Sequence, residues 1–266
     1  MELSDVKIMS RIKTIDLLLT SNKSICRLGD GEFSFFDRNR TKSTEYYQKL
    51  DSKLTDKLNQ ILTDKPHDNI IVALSDFASS GTSYANKIKE WNVDRILLNC
   101  IKQNNRDYVF GNAGITRDYR LIPRLKLLWG RKNVVLVEGE FCRGGVGNDL
   151  YDNVTSLKRI LCPAESAYDK YNEICSSIKR NCKEDDLILC ALGPTATCLA
   201  YDLSKEGYRI LDIGQTDIIY EWYKAGGVRL EIPGKYTHES KNGRNISELG
   251  DCNDEKYLGS IIDRIL

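Results

Sequence analysis

The sequence predicts an α/β fold: a Rossmann-like, mostly parallel sheet with helices on both faces. Three observations predict it. Short aliphatic and β-branched runs recur along the chain, segments of helical period separate them, and no repeat, low-complexity tract or Pro/Gly-rich linker breaks the alternation. A length of 266 residues can bury one full α/β core, so a single domain over 1–266 is expected.

Five runs read as buried strands: Ser24–Leu28, Asn69–Leu74, Asn133–Val137, Leu187–Leu192 and Arg209–Ile213. Four helices follow from apolar spacing. Val6–Leu19 places Ile8, Ile12, Ile15, Leu18 and Leu19 near helical spacing, and Ser43–Leu62 does the same with Tyr47, Leu50, Leu54, Leu58 and Leu62. Tyr168–Lys179 follows Pro163, and Thr195–Lys205 stops at Gly207. The last stretch, 242–266, is either a closing helix packed through Tyr257, Leu258, Ile261, Ile262 and Leu266 or an element on the acceptor side.

Composition removes several functional classes. With 39 basic and 38 acidic residues the net charge is +1, and no global field favours nucleic acid as a partner. Met1–Asp5 lacks the basic and apolar regions of a signal peptide, and no apolar run reaches the roughly 20 residues of a membrane span. A cytoplasmic chain without a transmembrane segment is expected, with association at a membrane surface left open. Nine cysteines, an odd number without a Cys-x-x-Cys pair, read as reduced core thiols, and two histidines are too few for a Cys/His zinc site.

In an open parallel sheet, ligands bind beyond the carboxyl ends of the strands. Three loops there look chemical. Gly29-Asp30-Gly31-Glu32 puts two carboxylates on a tight turn, an arrangement that suits Mg2+ or Mn2+ held jointly with a diphosphate, and equally a plain β-turn. Glu138–Asp149 contains Arg143 and three glycines, which let backbone approach a ligand while the arginine clamps phosphate. It is not the dinucleotide fingerprint, since Gly145-x-Gly147 lacks the third glycine. Gly193-Pro194-Thr195-Ala196-Thr197 opens into a helix whose free N–H groups can bind an anion, or which Thr195 merely caps. Beyond the last strand, Asp217 and Glu221 stand four apart, on one face if the stretch is helical, as a base, metal ligand or sugar contact. Arg117 adds a cation in a Gly/Asn-rich loop, where a surface salt bridge is the alternative; Trp129 and Trp222 read as core.

Taken in order, these segments resemble the GT-D fold glycosyltransferase family of bacteria. The resemblance rests on Arg27-Leu28-Gly29-Asp30-Gly31-Glu32, Thr116-Arg117-x-Tyr119, Val137-Glu138-Gly139-Glu140 and Gly145-Val146-Gly147-Asn148-Asp149-Leu150. It continues through Arg159–Ala164, Leu192-Gly193-Pro194-Thr195-Ala196, Ala200–Leu203, Asp212-Ile213-Gly214 and Tyr220-Glu221-Trp222. It spans about Val6 to about Glu239. It implies a transferase that moves a hexose, glucose first, from a UDP-sugar to a glycan or lipid-linked glycan acceptor in surface polysaccharide or glycoprotein assembly. The family's Asp-x-Glu motif maps onto Asp30 and Glu32, which would hold donor and a divalent metal. Arg27, Arg117, Arg143, Gly193, Thr195 and Gln215 complete the implied donor set.

Two departures stand out. Gln215 occupies a position where the family often has His, and Asp118 one where it often has Pro; His238, in Lys235-Tyr236-Thr237-His238-Glu239, is a candidate to compensate. In the expected chemistry Glu32 with the metal, Arg143 and the Gly193–Thr197 helix terminus stabilise the leaving diphosphate, while Asp30 contacts ribose or sugar. Asp217 is the first candidate base and Glu221 the second. A nucleotide-sugar hydrolase and a non-catalytic nucleotide-binding partner of another transferase are the competing readings.

Overall fold

A computed structural model describes residues 5–36, 48–76, 93–105, 107–237 and 245–266. In chain order its elements are α1 (Arg11–Thr20), β1 (Ser24–Leu28), the single turn α2 (Asp30–Phe33), α3 (Ser52–Thr63), β2 (Ile70–Leu74), α4 (Val93–Asn104) and β3 (Gly111–Asn112). There follow α5 (Ile122–Trp129), β4 (Asn133–Gly139), β5 (Ser156–Cys162), α6 (Tyr171–Asn181), β6 (Leu187–Ala191) and α7 (Pro194–Ser204). The chain closes with β7 (Arg209–Asp212), α8 (Thr216–Lys224), α9 (Glu255–Ser260) and β8 (Ile261–Arg264). Every described strand ladder is parallel, and the fold class is the expected α/β.

Two compact units emerge: Met1–Ile115 with Gly193–Gly207, and Thr116–Leu192 with Tyr208–Leu266. In the first, β1 pairs with β2 from Ser24 opposite Ile70 to Leu28 opposite Leu74, and β2 pairs in turn with β3. All five β2 side chains are buried, as befits a strand covered on both faces. Leu54, Leu58, Ile61 and Leu62 of α3 fill the adjoining core with Leu97 and Ile101 of α4. Asp51 starts α3 by accepting from the N–H groups of Lys53 and Leu54, which places the helix start well inside the expected Ser43–Leu62. Residues 43–47 of that expectation lie outside the described residues. Likewise α1 begins only after Ser10, whose hydroxyl accepts from Lys13 N, while Ile8 bridges Phe110 instead of extending the helix.

In the second unit the strands run in the order β7-β6-β4-β5-β8. Val134–Val137, Ile160–Cys162 and Leu187–Cys190 are buried and form its core with Leu125, Leu128 and Trp129 of α5. Trp129 donates to Leu150 O at 3.1 Å and Trp222 to Leu230 O at 2.8 Å, so both indoles are core groups with satisfied N–H donors.

The closing helix is the main correction. Only Glu255–Ser260 is helical, and Ile261–Arg264 then joins β5 as a parallel edge strand. Asp263 anchors that strand by accepting from Ser177 Oγ, Arg180 Nη2 and Asn181 Nδ2 of α6. The helical spacing of Tyr257, Leu258 and Ile261 was fortuitous: β-branched Ile261 and Ile262 suit an edge strand alternating between half-buried and exposed. All nine cysteines are free, and burial holds the thiols of Cys162, Cys190 and Cys198 above their ordinary range. Among the described residues no helix is long and apolar enough to cross a membrane.

Candidate active site

Within the first unit, two of the three loops meet. The chain leaves β1 through Gly29 into α2, and Glu32 turns back so that its Oε2 accepts from Gly29 N at 2.8 Å. Asp30, one residue into that turn, is half-exposed. Beside it starts α7, with Pro194 at its first position and Gly193 at φ 53°, ψ −139°, a conformation open essentially to glycine. Thr197 ties the start of α7 to the end of β1, its Oγ1 donating to Arg27 O at 2.9 Å. Arg27 itself reaches back to Ala113 O at 3.0 Å, so its side chain bridges the end of β1 to that of β3. Thr195 is fully buried, and its Oγ1 has no hydrogen-bond partner among the described residues.

The donor set for a metal at this loop is two carboxylates, Asp30 and Glu32, one oxygen of the latter already bonded to backbone. Among the described residues no group of three or more His, Cys, Asp or Glu converges. Two carboxylates fit a hard cation that takes its other ligands from water and a diphosphate, the usual manner of Mg2+. His238, the candidate to compensate for Gln215, lies outside the described residues.

Within the second unit the glycine loop differs from expectation. Its N–H groups already hold internal acceptors: Gly144 N donates to Glu138 Oε2 at 2.8 Å and Gly145 N to Asp217 Oδ1 at 2.7 Å. Val146 N and Asn148 N bond Arg143 O and Gly145 O. A loop whose donors are occupied by the protein's own carboxylates is not an open phosphate cradle. Arg143 is corrected for the same reason. It is buried, and its guanidinium donates to Gly234 O at 2.8 Å, Leu249 O at 3.1 Å and Gly250 O at 2.5 Å. It ties down two following segments, and this offsets its left-handed φ of 50°.

Under the loop lies a buried ion pair. Arg159 of β5 donates through Nη1 to Glu138 Oε1 of β4, through Nη2 to Gly144 O at 2.7 Å and through Nε to Ser260 Oγ at 2.9 Å. The ring of Tyr257 covers the guanidinium at 5.0 Å. Burial pushes the Glu138 carboxyl upward, opposed by Arg159 and Gly144 N, and burial likewise raises the Cys142 thiol and the Tyr151 phenol.

The helix α8 carries both expected carboxylates, Asp217 in its first turn, where the helix dipole favours an anion, and Glu221 one turn on. Asn148 Nδ2 links them, donating to Asp217 Oδ1 at 2.8 Å and Glu221 Oε1 at 2.5 Å. Lys235 Nζ lies 2.6 Å from Asp217 Oδ2 and 3.9 Å from Glu221 Oε1. Tyr220 OH donates to Asp149 Oδ1 at 2.7 Å, so the loop is latched to α8 on two sides. Gln215 immediately precedes the helix, half-buried, and Arg117 is exposed in the turn after a short 3-10 helix. The roles of Asn148 and Lys235 were not foreseen; no spacing rule marks a residue 69 or 18 positions from its partner.

Comparisons with known proteins agree with this architecture. The chain is 31% identical to glycosyltransferase GlyD of Streptococcus pneumoniae serotype 4, over 96% of this chain and 32% of that protein. It is also 31% identical to a probable glycosyl transferase, Gly, of Streptococcus gordonii, over 92% of this chain and 37% of that one. The chain thus spans about a third of the length of the curated relatives it matches. A solved structure of the domain of unknown function 1792, described as having a distinct glycosyltransferase fold, superposes with a TM-score of 0.86 at 30% identity, covering 99% of this chain and 97% of that one. A second, described as a new glycosyltransferase from Streptococcus sanguinis, gives 0.84 at 31% identity over 98% and 100% of the two chains. Residues 25–240 match the profile of the glycosyltransferase GT-D fold, and the chain belongs to that family.

Proposed function

We propose that this chain is a glycosyltransferase that moves a hexosyl group, glucose first, from a UDP-sugar to a glycan or lipid-linked glycan acceptor. The observation that carries the reading is the bond from Thr197, in the first turn of α7, to Arg27 O near the end of β1, the strand that leads into the Asp30–Glu32 loop. It puts two carboxylates beside a helix N-terminus with a buried Thr195 hydroxyl that has no partner among the described residues, a combination suited to a diphosphate and a hard cation. Asp30 and Glu32 would share Mn2+ or Mg2+ with the donor, and the ion would offset charge on the diphosphate as it leaves. Gly193 and Thr195 would contact that diphosphate, with Arg27 as a further donor-side polar group of the same unit. Arg143 serves instead to hold the second unit's loop. The description of the streptococcal relatives as glycosyltransferases supports the transferase class, and assembly of a surface polysaccharide or glycoprotein at the cytoplasmic side of the membrane is the setting that suits such a donor.

A thermal-shift series with UDP, GDP, CDP, dTDP and NAD, each with and without Mn2+, tests this. At a hundred times its dissociation constant a ligand adds about 2.7 kcal/mol. UDP should raise the melting temperature, and Asp30→Ala or Glu32→Ala should remove the rise. If no diphosphate shifts the transition with or without Mn2+, the donor site is wrong.

A further inference from the structure

Charge and exposed apolar surface are unevenly spread over the second unit. Residues 117–132, which include α5, hold six basic residues and one acid, Asp118, in a chain whose net charge is +1. Residues 223–230, which carry the chain out of α8, add Lys224 and Arg229 and no acid. Five of the eleven exposed large apolar side chains among the described residues fall in the same two stretches: Tyr119, Leu127, Tyr223, Val228 and Leu230. Leu127 and Val228 are 61% and 57% exposed.

The two stretches touch. The Tyr119 ring lies so close over Gly227 that a Cβ there would meet it at 2.7 Å. Lys126 Nζ stands 5.0 Å from the centre of the Tyr220 ring, on which Tyr223 stacks at 6.0 Å. Trp222 holds the following loop by donating to Leu230 O at 2.8 Å, and Arg229 lies over its indole at 5.3 Å. On α5 the buried positions are Ile122, Leu125, Leu128 and Trp129, so Leu127 shares the outward side with Arg124, three residues before it. The acids at this face are Asp118, forked by Arg120, Asp149, flanked by Lys126 and Lys224, and Glu231 at its edge; the eight cations outnumber them.

Single apolar residues on a surface call for no explanation, but apolar side chains grouped among cations do. We propose that this face of the second unit, built on α5 and the loop after α8, docks on the surface of a bilayer that contains anionic lipid. The cations meet lipid phosphates, while Leu127, Val228 and Leu230 enter the boundary between headgroups and acyl chains, with the two tyrosines at headgroup level. A nucleic acid or an acidic peptide would use the cations and leave those aliphatic side chains in water, which favours the bilayer. The docking goes beyond the transferase reading and needs no nucleotide.

Co-sedimentation of the chain with vesicles of phosphatidylcholine alone, and of phosphatidylcholine mixed with phosphatidylglycerol, tests it. Wild type should bind the mixed vesicles at least about tenfold more tightly than the neutral ones, and added salt should weaken that binding. Arg124→Glu/Arg229→Glu should lose at least about tenfold in affinity for the mixed vesicles. Val228→Ser/Leu230→Ser should lose at least about threefold, with the fold checked by melting temperature. Hydrogen exchange of wild type needs no variant: mixed vesicles should slow it at residues 225–232. Equal affinity for the two vesicles, binding to neither, a charge-reversed variant that binds as well as wild type, or slowed exchange confined to other segments overturns the proposal. So does a dimer in sedimentation velocity that Val228→Asp splits, which would give the face to a second copy of the chain. No donor takes part in these measurements, so a failure of UDP to bind sinks the transferase reading and leaves the docking standing.

Discussion

Replacing Arg159 with Met should be among the most damaging single changes in the second unit. The Arg159 and Glu138 side chains are 4% and 1% exposed, so neither charge has water to fall back on. Removing the arginine leaves Glu138 with one neutral donor, Gly144 N, and leaves Gly144 O without its Arg159 partner. Breaking a buried pair from one side typically costs about 3–5 kcal/mol. For a chain of this size that is on the order of a 10 °C fall in melting temperature. The double variant Arg159→Met/Glu138→Leu should recover most of the loss, because it removes the stranded charge as well. Urea unfolding followed by tryptophan fluorescence measures all four species, and two of the three emitters, Trp129 and Trp222, lie in this unit. A loss below about 1 kcal/mol for Arg159→Met, or a double variant equal to the sum of the singles, would refute a coupled buried pair.

Other perturbations have equally definite outcomes. Gly145→Ala places a Cβ 2.7 Å from Tyr151 Cδ2 at a φ of 79°, so clash and strain together should cost about 2 kcal/mol or more and loosen the Asp217 contact, read as a lower urea midpoint. Thr197→Val deletes the bond to Arg27 O and should cost about 1 kcal/mol while weakening UDP binding in calorimetry; undiminished affinity would uncouple the two loops. His67 is held below its ordinary value of 6.5, chiefly by burial, with Lys205 and Lys23 adding to the effect. Its unfolded form therefore takes up the proton first, so its contribution is present above that value and fades as pH falls through it. Melting temperature against pH should flatten across that window in His67→Gln.

Much of the fold was readable because each buried parallel strand is an unbroken apolar run. Ser24–Leu28 was read to the residue, and Leu187–Leu192 and Arg209–Ile213 to within one. The strand Ser156–Cys162 was missed because Lys158 and Arg159 interrupt its apolar pattern, and Arg159 is there to neutralise Glu138. Gly111–Asn112 is too short to carry any periodicity. The candidate site rests on residue types at strand ends, and of it the structure bears out the placement of Asp217 and Glu221 on one helix, which followed from their spacing. What could not be read was which donors each carboxylate would meet. Arg143 and the glycine loop look like a phosphate cradle until Glu138 and Asp217 are seen to occupy it. For Asp217 that occupation depends on a contact across 72 residues, which no local pattern encodes.

The most direct test of the central claim is product analysis by mass spectrometry after incubating the chain with UDP-glucose, Mn2+ and glycan acceptors. The account predicts an acceptor heavier by one hexose, with UDP released in equal amount, and loss of both in Asp30→Ala. UDP released at the same rate without acceptor, with no hexose on any glycan, would contradict it and make the chain a hydrolase.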